Sequence, residues 1–101
     1  MIRVLMSAGA FGEAEEAQKW YDDRKSGLGT AFVEALDEAI LRIQLAPEAY
    51  PRFEGRFRKC VLRRFPYFII FEWQIDYIRI LSVFHSSRDA SSLRNSLLGR
   101  K

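Results

Sequence analysis

Val61 to His85, VLRRFPYFIIFEWQIDYIRILSVFH, leaves this chain few ways to fold. Tyr67, Ile69, Phe71 and Trp73 alternate with Phe68, Ile70, Glu72 and Gln74. The first parity is apolar throughout, and the second turns polar only at its far end. A period of two with one wholly apolar parity marks a strand that buries one face. Ile75-Asp76 is the expected turn, because aspartate tolerates left-handed backbone and hydrogen-bonds its own chain. Tyr77 to Phe84 returns as a second strand, rich in β-branched and aromatic residues. An isolated hairpin is marginal in water, so this one requires a third strand or helices on its apolar face.

The rest of the chain supplies both. Ile2 to Met6, IRVLM, is a short apolar strand candidate bounded by Ser7-Ala8-Gly9. Phe11 to Lys25 reads as a helix, with Ala14, Ala17 and Tyr21 on one stripe that Ala10 extends and Trp20 borders. Glu13, Glu15 and Glu16 crowd its first turns and Arg24-Lys25 its last, as the helix dipole favours. Ser26-Gly27-Leu28-Gly29 breaks the pattern. A second helix then runs from about 29 to 46, with Leu28, Phe32, Ala35, Leu36, Ala39, Ile40 and Ile43 on one face and Pro47 ending it. So short a break makes the two helices antiparallel neighbours. Pro47 to Gly55 reads as a loop anchored by Tyr50 and Phe53, and Arg56 to Phe65 as a basic strand. Pro66, which has no N–H to give a ladder, belongs at a turn. A short helix is expected after Arg88. The expected core includes Phe32, Leu36, Ile40, Ile69, Phe71 and Ile80.

These elements make one α+β domain over 1–101: an antiparallel helical hairpin on a mostly antiparallel four-stranded sheet, ordered β-α-α-β-β-β, with a short C-terminal helix. With 101 residues, 49% of them hydrophobic, the chain can bury one real core. No apolar run approaches the length of a membrane span. The opening stretch turns acidic at once instead of extending into an apolar leader. A cytoplasmic protein with no membrane partner is the expectation.

The net charge of +3 hides an asymmetry. Residues 1–50 carry five Lys/Arg against nine Asp/Glu, a net of −4. Residues 51–101 carry eleven against four, a net of +7. Five of the nine residues from Arg56 to Arg64 are basic, and they fall on both parities of a strand, which fits an edge or a concave rim. A polyanion or an acidic protein is the partner such a half would attract.

Conventional catalytic chemistry has little to work with. One His and one Cys without paired spacing make no zinc site, and no Gly-rich phosphate loop or nucleophile elbow is present, so no metal or cofactor is expected. Cys60 reads as a small apolar strand residue, and its pairing with His85 on a neighbouring strand has no further support. The remaining chemistry lies in Arg56, Arg58, Lys59, Arg63, Arg64 and Arg88, with His85 and Glu54. Arginines bind phosphate in bidentate fashion, and a His or Glu can move protons in RNA cleavage by 2′-OH attack.

The order strand, helical hairpin, basic strand, FPY-type strand, strand and H-x-x-R resembles the RelE/ParE family of bacterial type II toxins. The resemblance rests on EAEEAQKWYDDRKSGLGTAF, the P-x-x-Y-P at Pro47 to Pro51, RKCVLRRFPYFIIFEW and IRILSVFHSSRD. It implies the fold just described and a plasmid-stabilisation-type toxin silenced by a cognate antitoxin. RelE-like members cut mRNA in the ribosomal A site with basic residues of the sheet and often a C-terminal Tyr; ParE-like members lack that set and poison DNA gyrase. By position, Arg56, Arg58, Lys59 and Arg63 fall where the family's sheet-face cations lie, and Arg88 matches the arginine after the last strand. No Tyr follows Tyr77. The ParE side, with gyrase as partner, is therefore the first expectation. An mRNA endonuclease acting with the ribosome is the alternative, with His85, Arg63, Arg88 and Glu54 as its catalytic candidates. A member that only binds its antitoxin is a third class.

Overall fold

The computed structural model describes residues 1–87. The hairpin sits at the centre of the sheet, where the period-two pattern requires it. β4 (Tyr67–Trp73) pairs antiparallel with β5 (Tyr77–His85), with Tyr67 opposite His85 and Trp73 opposite Ile78. The turn between them is the expected one, closed by Gln74 N–H to the Tyr77 carbonyl at 2.9 Å. β1 (Arg3–Met6) adds in parallel to the outer side of β5, and β3 (Phe57–Val61) adds antiparallel to β4. A fifth strand, β2 (Arg52–Glu54), lies inside the stretch read as loop and completes the order β1-β5-β4-β3-β2. It is three residues long, too short for any sequence period to mark, and is held by pairing with β3.

The helical hairpin packs on one face of this sheet. α1 (Ala8–Arg24) starts three residues earlier than periodicity placed it. Gly9 and Gly12 argue locally against helix, but Ser7 overrides them. Its side chain accepts the Ala10 N–H at 3.1 Å as an N-cap and donates to the Leu81 carbonyl at 3.3 Å, while its own N–H reaches the Ile80 carbonyl at 2.9 Å. α2 (Leu28–Leu45) ends before Pro47 as expected. Gly29 brings α2 against α1: its N–H donates to Asp22 Oδ1 at 2.7 Å, and a Cβ there would lie 2.5 Å from the Gln18 carbonyl oxygen.

The core lies between hairpin and sheet. Phe32, Leu36, Ala39 and Ile43 of α2, and Ala10, Ala17 and Tyr21 of α1, meet Cys60, Ile69, Phe71, Ile78, Ile80 and Val83. Of the expected core, Ile40 alone is only half-buried, because it flanks the stripe that faces the sheet. Tyr21, Phe32, Phe65 and Tyr67 form one aromatic cluster, with centroids 4.9 to 6.2 Å apart and mostly edge-to-face. Phe65 joins it because the basic strand stops at Val61 instead of running to 65. Arg64 adopts φ 73°, a left-handed turn that folds Leu62 and Phe65 into the core. On the opposite face Phe68, Ile70, Leu81 and Phe84 make a second cluster, with Phe53 and Phe57 against it.

β5 carries a bulge at Leu81: Ile70 faces Ser82, but Phe71 faces Ile80. Glu13 of α1 stitches that irregularity. One carboxylate oxygen accepts the Val83 N–H at 3.0 Å and the Ser82 hydroxyl at 3.1 Å. Glu13 was expected to support only its own helix; it lies in the second turn and joins α1 to the sheet instead.

Two measurements test this packing. Gly29→Ala should lower stability by about 1–3 kcal/mol in chemical denaturation, since the new methyl meets backbone. Phe71→Ala should cost about 3–5 kcal/mol, as its ring is fully buried.

Candidate functional site

The cations singled out by the sequence fall on β3 and the turns that flank it, and the structure commits them to different partners. Arg56 lies in the β2–β3 turn, ion-paired to Glu72 and stacked over Phe57. Arg58 donates to the Tyr50 carbonyl at 2.8 Å and lies beside the Trp73 ring. Lys59, of opposite parity, covers Phe68 at 4.4 Å on the other face. Arg63 lies beyond the strand, 3.4 Å from Glu38 of α2. Arg64 is turned away by its left-handed backbone and sits over Phe65. The cause is pleat plus chain length. Adjacent residues on a strand point to opposite faces, and β3 ends before Arg63. Arg88 lies outside the described residues, as does the helix expected after it.

The proton-transfer candidates are equally far apart. Glu54 pairs with Phe57 in the β2–β3 register, and Phe57 stands opposite Glu72. His85 stands opposite Tyr67, at the other end of β4. Five residues of strand separate those positions, about 17 Å. Cys60 and His85 are not neighbours either: β4 intervenes, with Ile69 opposite Cys60 and Val83 opposite Ile69. Cys60 is fully buried, and that burial pushes its thiol up, away from the reactive thiolate.

Glu72 is buried in the basic end of the sheet. Burial alone would raise its carboxyl. Hydrogen bonds from Arg56 and Gln74, with the charges of Arg56 and Arg79, outweigh that and hold it below the ordinary carboxylate range. Arg56 is therefore committed to the fold as well as displayed on it.

His85 belongs to a different site, at the opposite end of the hairpin. A recess of about 520 Å³ opens between α1 and the ends of β4 and β5. Glu13, Glu16, Trp20, Tyr21, Tyr67 and His85 are among its walls. His85 lies edge-on to Tyr67 at 5.0 Å. Its Nδ1 accepts the Ser87 N–H at 3.0 Å and lies 2.7 Å from the Ser87 hydroxyl, so in the neutral ring Nε2 carries the proton. Sequence periodicity could not reveal this recess, because its walls come from residues 13–21 and 66–87, which only the tertiary fold brings together.

Acid should reveal the Glu72 pair. A carboxyl depressed in the folded state stabilises above its unfolded range, near pH 4.3, and loses that contribution as pH falls through its folded value. Glu72→Gln should lower stability at pH 7, and the difference from wild type should shrink as pH falls from the ordinary carboxylate range through the depressed folded value of Glu72. Denaturation of the two proteins across that range measures the converging difference.

A comparison with curated proteins finds no match. Among solved structures, a chain of the chromosomal ParDE TA system from P. aeruginosa shares this fold with a TM-score of 0.63 at 15% identity, covering 84% of this chain and 96% of that one. The family model for the ParE toxin of the type II toxin–antitoxin system, parDE, matches residues 4–90. With that match spanning most of its length, the chain belongs to the ParE toxin family of type II toxin–antitoxin systems.

Proposed function

We propose that this ParE-family chain stops growth by binding a complex of DNA gyrase, or a related topoisomerase, with DNA, and that a cognate antitoxin neutralises it. The observation that carries the reading is the dispersal of the basic set. Metal-free RNA cleavage requires a base, an acid and cations around one phosphate. Here Glu54 and His85 stand at opposite ends of β4, and Arg56, Arg58, Lys59 and Arg63 occupy different surfaces. Spread-out cations suit binding to a large, charged target, where summed field matters more than convergence.

The same field would guide the antitoxin. Acidic side chains on that partner, drawn to the basic half, speed encounter, while apolar anchors set the dissociation rate. Neutralising Lys59 and Arg63 should slow association and flatten its salt dependence, with little change in dissociation; surface plasmon resonance across ionic strengths reads both rates.

Two assays separate the target classes. Purified protein should inhibit supercoiling or trap cleaved DNA with gyrase, and should give no A-site cuts with translating ribosomes. His85→Gln should leave growth inhibition largely intact. Discrete A-site cuts that His85→Gln abolishes would replace this reading with the ribosome-dependent mRNA endonuclease.

A further inference from the structure

The recess between α1 and β5 opens beside the acidic face of α1. Among the described residues that line it none is Lys or Arg, and Glu13 and Glu16 stand one helical turn apart on its α1 wall. Glu13 is already engaged with Ser82 and Val83, which leaves Glu16, an exposed residue, as the carboxylate presented to an incoming group. The remaining walls are largely aromatic: Trp20, Tyr21, Tyr67 and the His85 ring. Carboxylate beside π-faces is the chemistry that holds a planar cation, by charge-assisted hydrogen bonding on its edge and stacking on its face. A cation already uses part of this surface, for the Arg24 guanidinium lies 4.0 Å from the Trp20 ring centroid.

We propose that this recess is a docking site for an arginine side chain of a partner protein. The proposal rests on the reading that an antitoxin binds this chain, and it deepens that reading. The partner's acidic residues meet the cations of β3 and its flanking turns, and one basic anchor enters the recess beside Glu16. A guanidinium fits better than an ammonium, since only the planar group stacks and forks at once.

The test uses the full chain and no antitoxin, so its outcome is independent of whether that partner exists. Trp73→Phe leaves Trp20 as the sole tryptophan, and His85 is the sole histidine, so each reports on the recess alone. Acetylated tetra-arginine amide should shift Trp20 emission and the His85 ring resonances saturably. Glu16→Gln and Trp20→Ala, both at exposed positions, should each weaken binding about two- to fivefold. Glu34→Gln, which removes the same charge from the exposed side of α2, should not. Tetra-lysine should bind more weakly than tetra-arginine. The proposal is overturned if Glu16→Gln and Trp20→Ala bind as tightly as wild type, if Glu34→Gln weakens binding equally, or if tetra-lysine matches tetra-arginine. Any of these failures overturns the anchor and leaves the toxin reading standing.

Discussion

The backbone of β5 beyond Ile80 is the constraint on which the rest of the molecule depends. β1 stops opposite that residue, and β5 continues for five more. Among the described residues no strand lies beside its outer edge there, and the bulge at Leu81 disturbs the inner ladder as well. Buried backbone groups must find partners. Ser7 and Glu13 provide them, from the cap and the second turn of α1. Those bonds set where α1 lies on the sheet. Gly29 then sets how closely α2 lies on α1, and the aromatic cluster around Tyr21 and Phe32 fills what remains. Among the described residues, no buried side-chain nitrogen or oxygen is left without a partner.

The same arrangement disperses the charges. Acidic α1 forms one wall of the recess at the Tyr67–His85 end of the hairpin. Arg56 and Arg58 lie at the opposite end, around Trp73 and the β2–β3 turn, whereas Arg63 and Arg64 follow β3 into the turn that leads to Tyr67. A partner or target that reads charge therefore meets cations on several surfaces, with the carboxylates of α1 beside them.

Burial also decides which ionisable groups are structural. Glu72 is held charged inside the sheet by Arg56 and Gln74, and Cys60 is held as a thiol. His85 keeps one nitrogen occupied by Ser87 and the other protonated when neutral. Each of these residues would draw attention in a sequence, and in the fold each is accounted for by its immediate neighbours.

What the sequence determined by itself was whatever repeats at a short period. Tyr67 to Trp73 and Tyr77 to Phe84 declared the hairpin, and the spacing from Phe32 to Ile43 declared the second helix with its buried face. Gly27, Pro47 and Ile75-Asp76 marked the breaks. The order of these elements, with the stretches around them, was enough to indicate the family. Tertiary structure alone decided the remainder, because it depends on partners distant in the chain. β2 exists only as an edge paired to β3. The helix start at Ala8, despite two glycines, follows from bonds between Ser7 and residues 80 and 81. The basic run ended as scattered charges rather than a cluster, since pleat alternation and the left-handed turn at Arg64 sent its members to different surfaces. The recess assembled from an acidic helix and a distant strand end whose proximity no local pattern encodes. Local periodicity reports which face of an element is buried; the neighbours that bury it are chosen by the three-dimensional accounting of hydrogen bonds and volume.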